Sequence, residues 1–390
     1  MSLPDAKSCV GCSACAASCG AEAIRLIPDA EGFLQPVVDE VKCVNCGCCE
    51  RACPVLSVHP KPGVPLCFAA RTNDSELLLD STSGGIFSVL ARKVLSRGGC
   101  VFGCVARPPD LIAHHEMTDA EDGLALMRGS KYVQSDVRNS FRACKEQLTG
   151  GRQVLFTGTP CQIDGLKRFL GKDYENLITM DFICHGVSSP GVLQKYLEEV
   201  SLRVGDSPVC VYYRNKRKSF SWNHSFLLAI DFNNKRNDII EPLSTNPYYR
   251  IFMSGLAMRR GCARCPSFGG KSASDITVSD FWGIRFVPEV VPNDDKGMSA
   301  VFLHSGKSIS LFEELRPQLT VYSLTFEQAK AGNPNYIKPS SAHKKRDYFM
   351  RRFRERQIAG LTMRCLNGPL LHRFVRQTLA SVWHMLRGRK

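Results

Sequence analysis

Apolar residues recur along the chain with two different periods, and these periods predict alternating strands and helices. Residues 98–106, 153–157 and 177–183 are short apolar runs of the kind found in buried strands. Residues 86–91 and 163–170 carry apolar side chains at helical spacing. The middle of the chain is therefore predicted to form an α/β body.

The pattern differs toward both ends of the chain. Residues 23–27 and 34–38 alternate as the two short strands of a hairpin do. Residues 57–66 hold three prolines and a glycine, which is typical of a linker. Residues 348–366 and 370–386 place apolar side chains at helical spacing among arginines, which predicts a basic amphipathic helical tail.

Cysteine adds the first chemistry, because 19 of the 390 residues are cysteines. Two runs near the start follow the spacing C-x-x-C-x-x-C-x-x-x-C, and Gly20 replaces the proline usual after the first run. In the bacterial two-cluster ferredoxin pattern, the fourth cysteine of each run serves the other cluster. The predicted ligands are Cys9, Cys12, Cys15 and Cys53 for the first 4Fe-4S cluster, and Cys43, Cys46, Cys49 and Cys19 for the second. Zinc is the alternative, and Cys48 lies outside the pattern.

Four further cysteines are predicted to meet beyond this module. Cys161 lies where a predicted strand ends and a helix begins, and Cys184 ends the next predicted strand. Cys262 and Cys265 are spaced to share one turn. Four thiolates from three loops suit a third 4Fe-4S cluster. The alternatives are that Cys161 and Cys184 are ordinary buried residues, and that the Cys262/Cys265 pair is half of a zinc site.

Charge and composition exclude several classes of protein. The net charge is +14, but residues 344–390 contribute 13 Lys/Arg against two acids, which leaves the rest of the chain nearly neutral. Such a body lacks the broad basic surface of a nucleic-acid enzyme. No export-type segment follows Met1, and no apolar run approaches the ~18 residues of a membrane span. With so many cysteines, we expect a protein of the reducing cytoplasm.

Two polar segments are candidates for cofactor contacts. Residues 81–85 (Ser-Thr-Ser-Gly-Gly) precede a predicted helix, whose N-terminus would suit a phosphate; an ordinary helix cap is the alternative. Residues 129–135 offer a cation, a phenol and an amide, with an exposed loop as the alternative. His114 and His115 stand among polar residues, and we expect both at the surface.

The order of these motifs resembles the coenzyme F-420 hydrogenase/dehydrogenase beta-subunit family, which includes 7-hydroxymethyl chlorophyll a reductase. The resemblance covers roughly residues 1–330 and rests on the segments at residues 81–85, 129–135, 158–162, 184–186, 262–265 and 274–283. It implies a noncovalent FAD beside a 4Fe-4S cluster on Cys161, Cys184, Cys262 and Cys265. The implied flavin contacts are Ser81, Thr82, Ser83, Gly84, Gly85, Ser130, Lys131, Tyr132, Gln134, Gly158, Thr159 and Pro160.

The substrate is less constrained. Residues 214–218 (Arg-Asn-Lys-Arg-Lys), followed by Phe220, Trp222 and His224, could bind an acidic or phosphorylated ring, with a solvated hairpin tip as the alternative. His185 is a candidate proton donor, because imidazole titrates near neutrality; tuning of the adjacent cluster is the alternative. Asp280 is a second acid/base candidate.

The predicted fold class is therefore α+β and α/β. Residues 1–56 form a ferredoxin-like domain, 57–66 a linker, 67–335 a flavin- and 4Fe-4S-binding domain, and 336–390 the basic tail. We expect a flavin/iron–sulfur oxidoreductase working between a ferredoxin-like protein and an organic substrate. The alternatives are an electron-transfer subunit without chemistry of its own, and a membrane-surface redox protein of envelope polysaccharide synthesis. For the tail, an anionic membrane surface, an acidic partner and packing on the body remain open.

Overall fold

The computed structural model describes residues 2–57, 63–219 and 221–366. Its N-terminal part is a small module of one hairpin and two single-turn helices. The elements are α1 (Ala14–Ala17), β1 (Ile24–Pro28), β2 (Leu34–Val38) and α2 (Cys48–Arg51). The two strands pair antiparallel, with Ile24 opposite Val38, as the alternating pattern predicts.

An eight-stranded mixed sheet forms the centre of the molecule, in the order β13-β3-β12-β11-β7-β6-β4-β5. Its strands are β3 (Leu66–Thr72), β4 (Cys100–Val105), β5 (His114–Thr118), β6 (Val154–Thr157), β7 (Leu177–Phe182), β11 (Ile276–Asp280), β12 (Ser299–Leu303) and β13 (Leu319–Leu324). The four central strands β11, β7, β6 and β4 run parallel, and the outer ones are antiparallel to their neighbours. Parallel strands end at one edge of a sheet, so the loops after β6 and β7 lie side by side.

Helices cover both faces of this sheet. They are α3 (Ser75–Asp80), α4 (Ile86–Ser96), α5 (Glu121–Met127), α6 (Ser140–Thr149), α7 (Pro160–Leu170), α11 (Gly306–Leu315), α12 (Phe326–Lys330) and α13 (Pro334–Ile337). Apolar residues of α4, α5 and α11 pack on one face. Those of α6 and α7 pack on the other, in one core with Val10, Ala14 and Ala52 of the N-terminal module. The module is thus joined to the body through α7.

A second core surrounds a smaller three-stranded sheet. Its strands are β8 (Pro208–Tyr212), β9 (Leu227–Phe232) and β10 (Ile239–Pro242), and its helices are α8 (Pro190–Val204), α10 (Pro247–Ser254), α14 (Arg346–Met350) and α15 (Ile358–Leu366). The single-turn helix α9 (Lys216–Ser219) lies against α3. Single 3-10 turns span Lys235–Asn237, Arg260–Arg264, Trp282–Phe286 and Arg316–Gln318.

The C-terminal segment packs its apolar face on the body of the protein as far as residue 366. Phe349, Phe353, Ile358 and Leu361 are buried in the same core as α8 and α10. The second predicted amphipathic segment, residues 370–386, and most of the predicted linker lie outside the described residues. Within the described ranges, no helix has the length and apolar character of a membrane span.

A carboxyl group that pairs with no cation of the described residues sits in the middle of the sheet. Asp181 of β7 is 1 % exposed and accepts hydrogen bonds from Ser272 Oγ and, at 2.6 Å, from Thr277 Oγ1. Burial raises the pKa of Asp181 to about 7, because the charged form loses its hydration.

This burial predicts an unusual pH dependence of stability. The folded state holds the Asp181 proton that the unfolded state has already released, so stability falls as the pH rises toward and just past 7. The free energy of unfolding should drop by roughly 1 kcal/mol between about pH 6 and pH 8.5. Asp181→Asn should remove this drop in anaerobic urea titrations. An equal pH dependence in the variant would contradict the assignment.

Candidate iron–sulfur centres and the edge of the sheet

Three cavities in the structure are each lined by one of the predicted cysteine quartets. Cys9, Cys12, Cys15 and Cys53 line the first. Cys19, Cys43, Cys46 and Cys49 line the second. Cys161, Cys184, Cys262 and Cys265 line the third. The crosswise assignment of Cys19 and Cys53 thus matches the geometry, because each lines the cavity of the other run.

These cavities suit a cluster better than a single ion. The third is lined by four thiols from three segments of the chain, which is the ligand set that one 4Fe-4S cluster takes. The rest of its wall combines apolar side chains with hydroxyl and amide groups. Within the described ranges, no group of three or more His, Cys, Asp or Glu side chains is arranged to hold one metal ion.

Local structure explains how Cys161 and Cys184 reach the same cavity. Their strands β6 and β7 are parallel neighbours, with Thr157 opposite Met180. Helix α7 begins immediately after β6, with a capping box between Thr159 and Gln162. Thr159 Oγ1 also lies 3.2 Å from Cys161 Sγ. The cap therefore fixes the direction in which Cys161 leaves the strand.

Cys262 and Cys265 come from the turn that follows α10. The Arg259 N–H donates to Val187 O at 2.9 Å, and Ser188 forms a bridge with Met258. These contacts attach the turn to the segment just beyond Cys184. The cysteine pair is therefore held next to Cys184 by backbone hydrogen bonds, in the same cavity as the other two thiols.

The first and third cavities share a wall. Val10 and Gly11, between Cys9 and Cys12, line both. Two glycines of the body allow this close approach. A Cβ on Gly165 would lie 3.2 Å from Cys12 Sγ, and one on Gly261 would lie 2.4 Å from Cys9 O. A side chain at position 261 would overlap the Cys9 carbonyl, and one at position 165 would press tightly against Cys12.

The second cavity lies on the other side of the first. Strand β1 connects them, since Ile24 lines the second cavity and Leu26 the first. Near the second cavity Cys46 is exposed, and Val41 and Val44 are 97 % and 71 % exposed. The three cavities therefore form a series from an exposed face of the module to the edge of the central sheet.

One functional residue that the sequence analysis did not identify is Arg259, which lies between the first and third cavities. It is 1 % exposed, and its guanidinium donates to Cys9 O at 2.8 Å and to Cys9 Sγ at 3.2 Å. Its other acceptors are Leu34 O, Gln35 Oε1 and Gln134 Oε1. An arginine three residues before a cysteine belongs to no recognised sequence motif, so only the three-dimensional structure draws attention to Arg259.

A second missed residue is His115, and the expectation that His114 and His115 lie at the surface is wrong. Both are buried, at 5 % and 3 % exposure, because β5 is covered by α6 and the loops beyond β6. His115 Nε2 lies 3.0 Å from Thr157 O, its Nδ1 has no partner within the described residues, and burial lowers its pKa to about 4. His115 therefore supports the strand end that precedes Cys161 as a neutral ring.

The predicted flavin loop, residues 81–85, lies at the same edge of the sheet as the third cavity. Gly84 packs so tightly that an added Cβ would lie 2.3 Å from Ala70 O. Backbone packing alone therefore requires glycine at this position, whether or not a flavin binds. The N-terminus of α4, however, has no side-chain cap. Thr82 Oγ1 is buried without a partner within the described ranges, and the ammonium group of buried Lys216 donates to Ser83 O at 2.8 Å. The uncapped helix N-terminus, the Thr82 hydroxyl and the Lys216 ammonium group are hydrogen-bond donors of the kind that bind an anion.

The other predicted flavin contacts are mostly engaged by the protein itself. Lys131 Nζ donates to the carbonyls of Leu126, Met127 and Arg128 at the end of α5. The Tyr132 ring stacks on Phe252 with centroids 4.3 Å apart. Gln134 Nε2 donates to Gly11 O at 3.1 Å. Ser130 is half-buried, Thr159 and Pro160 line the third cavity, and the Gly158 N–H donates to Met180 O.

The two predicted acid/base residues lie in different surroundings. His185 Nδ1 accepts from Asn335 Nδ2 at 3.1 Å, so the ring proton of the neutral form is on Nε2, and burial lowers its pKa. Asp280 accepts from Trp222 Nε1 at 2.9 Å and pairs with Arg214. Both carboxylate oxygens of Asp280 are thus engaged, while His185 lies directly after a cluster cysteine. Their catalytic roles stay predictions.

The basic segment 214–218 is only partly a solvated tip. Arg214 and Lys216 are 6 % and 2 % exposed, so that interpretation is wrong for them. Arg217 and Lys218 do pair with surface acids, Asp80 and Asp231. Trp222 is buried and stacks on Trp282, His224 is exposed, and Phe220 lies outside the described residues.

Comparison with known proteins gives two family matches. Residues 8–56 match the 4Fe-4S dicluster domain, which confirms the predicted iron–sulfur module. Residues 151–325 match the family described as the C terminus of the coenzyme F420 hydrogenase/dehydrogenase beta subunit. A chain of the F420-reducing [NiFe] hydrogenase complex from Methanosarcina barkeri is similar at 16 % identity and a TM-score of 0.45, covering 78 % of this chain and 91 % of that one. No curated protein matches the chain.

The geometry of the third cavity predicts the effect of removing one of its thiols. Anaerobically prepared protein should contain about twelve iron atoms, and Cys161→Ala should contain about eight. Cys48→Ala is the matched control, because Cys48 borders the second cavity outside the predicted quartet, and it should keep its iron. Equal iron in wild type and Cys161→Ala would show that the third quartet holds no cluster.

Proposed function

Because residues 8–56 form a 4Fe-4S dicluster domain and residues 151–325 belong to the coenzyme F420 hydrogenase/dehydrogenase beta-subunit family, we propose that this iron–sulfur oxidoreductase exchanges electrons between a ferredoxin-like protein and an organic substrate. The observation that carries the proposal is the series of three cysteine-lined cavities. It runs from the exposed face of the module to the sheet edge, where α/β proteins bind ligands.

The proposed cofactors are three 4Fe-4S clusters and one FAD. When bound, clusters exchange single electrons and a flavin exchanges two, so together they couple an electron carrier to an organic substrate. The four thiols of each cavity would hold one cluster. The N-terminus of α4, Thr82 and Lys216 would hold the flavin pyrophosphate, because amide N–H groups and an ammonium group favour an anion. Burial lowers the pKa of Lys216 to about 7, and a bound anion would raise it again.

The chain's own residues prepare the sheet edge for this reaction. Arg214 lies 4.3 Å from the Phe226 ring centroid and pairs with Asp280, so its charge stays fixed inside the protein. Asp280 already balances this charge, so the pair itself supplies no preference for an acidic or phosphorylated substrate. His185, held between Asn335 and the Phe252 ring, is the proposed proton donor.

The proposed partner is an acidic, ferredoxin-like protein that docks beside the second cavity. A neighbouring pocket is lined by four basic side chains, Arg51, Arg142, Lys145 and Arg168. Arg51 donates to Cys46 O at 3.1 Å and Arg142 to Cys19 O at 3.2 Å. These cations therefore lie directly against the loops of the second cysteine quartet, where complementary charge would speed association.

A second candidate is an electron-transfer subunit whose chemistry lies on a separate catalytic partner. The engagement of Lys131 and Gln134 in the protein's own contacts favours it. A protein that keeps its iron, lacks flavin and turns over only in a stoichiometric complex would support this function.

The flavin proposal predicts a selective defect in Lys216→Met. Because the lost ammonium would face the pyrophosphate, flavin-stripped variant should bind FAD about tenfold more weakly than wild type but riboflavin equally well. The measurement is flavin fluorescence quenching, with iron content as the check on folding. Lys235→Met, which removes an exposed lysine, is the control.

The outcomes separate the two functions. Equal loss of FAD and riboflavin binding would place the effect on folding and contradict the pyrophosphate site. Absence of bound flavin and of flavin binding in wild-type protein, with iron present, would leave the electron-transfer subunit as the function.

The docking proposal predicts that Lys145→Glu slows reduction by an acidic ferredoxin about fivefold or more at low ionic strength. Stopped-flow mixing with the reduced ferredoxin measures this rate. Lys235→Glu, the same reversal of charge on the small sheet, should change the rate less than about twofold. A Lys145→Glu defect that persists unchanged in high salt would argue against electrostatic docking.

A further inference from the structure

The charge of Arg259 is buried without a protein counter-ion among the described residues. Its side chain makes six hydrogen bonds, all to carbonyl, amide or thiol acceptors. Within the described ranges, no carboxylate pairs with it. The guanidinium also lies 5.3 Å from the Phe33 ring centroid. A charge in such a place is costly unless an opposite charge lies close by.

The Arg259 guanidinium fits into the fold because residue 11 is a glycine. Gly11 has φ +74°, and a Cβ there would lie 2.8 Å from Arg259 Cζ. Gly11 lies in the wall between the first and third cavities. A side chain at position 11 would overlap the guanidinium, so glycine at this position lets Arg259 lie against the wall between the two cavities.

Arg259 reaches both quartets from this position. Its Nη2 contacts Cys9 Sγ at 3.2 Å, and its backbone carbonyl accepts from the Cys262 N–H at 3.1 Å. Burial raises the pKa values of Cys161 and Cys262, and the positive charge of Arg259 opposes this rise, so the guanidinium lies within electrostatic reach of the third quartet. A cluster with four thiolates is negatively charged, so each of the two quartets would supply the missing counter-charge.

We propose that Arg259 is a positioning residue that sets the reduction potentials of the first and third clusters together. A fixed cation between two anionic centres stabilises the form with one more electron, and hydrogen bonds to a ligand sulfur act in the same direction. This inference rests on the proposed function, since it requires both clusters to be present.

The test is an EPR-monitored reductive titration of Arg259→Gln and Arg259→Lys. In Arg259→Gln, the ratio of reduced to oxidised first and third clusters at a fixed potential should fall about tenfold or more, which is about 59 mV for one electron. Arg259→Lys keeps the charge, so its ratio should fall less than about threefold. Arg203→Gln, which removes an exposed arginine of α8, is the control and should leave all three clusters unchanged.

A second variant covers the case in which Arg259→Gln loses iron. Gln134→Glu places a carboxylate on the guanidinium, because Gln134 Oε1 already accepts from Arg259 Nη1 at 2.9 Å. Supplying this counter-ion should lower both potentials while Arg259 stays in place.

The outcomes are distinguishable from a failure of the proposed function. About eight irons in wild type would remove the third cluster and with it the proposed function. About twelve irons with unchanged potentials in Arg259→Gln and Gln134→Glu would overturn the role of Arg259 alone. Equal shifts in all three clusters would also overturn it, because the hydrogen bonds of this side chain reach the first quartet and not the second.

Discussion

The structure depends on the close approach of the Cys9–Cys12 loop to the body. Gly261 on the Arg260–Arg264 turn leaves no space for a side chain against Cys9, and Gly165 on α7 packs closely against Cys12. Through this contact the N-terminal module and the central sheet share one core. Close packing also gives the first and third cavities a common wall, so the distance between these two cavities is set by backbone packing and not by a flexible linker.

The contact between the Cys9–Cys12 loop and the body also buries a positive charge, that of Arg259. Tight packing excludes water from Arg259, which keeps a full charge with neutral acceptors among the described residues. The same edge of the sheet holds buried Arg214, which Asp280 balances, and buried Lys216, whose pKa burial lowers to about 7. An isolated buried cation destabilises a fold unless an anionic group accompanies it. Anionic clusters would balance Arg259 and a flavin pyrophosphate would balance Lys216, and this connects the energetics of the fold with its proposed function.

Sequence reasoning predicted the parts of the fold that depend on local order. The cysteine spacing placed Cys19 and Cys53 in each other's cavities, and the apolar runs located β6, α7 and β7 to within a few residues. It failed where the surroundings come from distant segments. His115 follows a polar stretch but is covered by α6, and Arg259 gains its meaning from a loop 250 residues earlier in the chain. Lys131 was predicted as a flavin contact, yet its contacts with the end of α5 were not visible in the sequence.

The central claim is that the first and third cavities hold neighbouring clusters separated only by the Val10–Gly11 wall. EPR spectroscopy of the fully reduced protein tests this most directly, because two paramagnetic centres so close together interact magnetically. We expect a broadened, split spectrum, which becomes simpler when Cys161 is replaced by alanine because the third cluster is then lost. A spectrum equal to the sum of independent clusters, unchanged by that substitution, would contradict it.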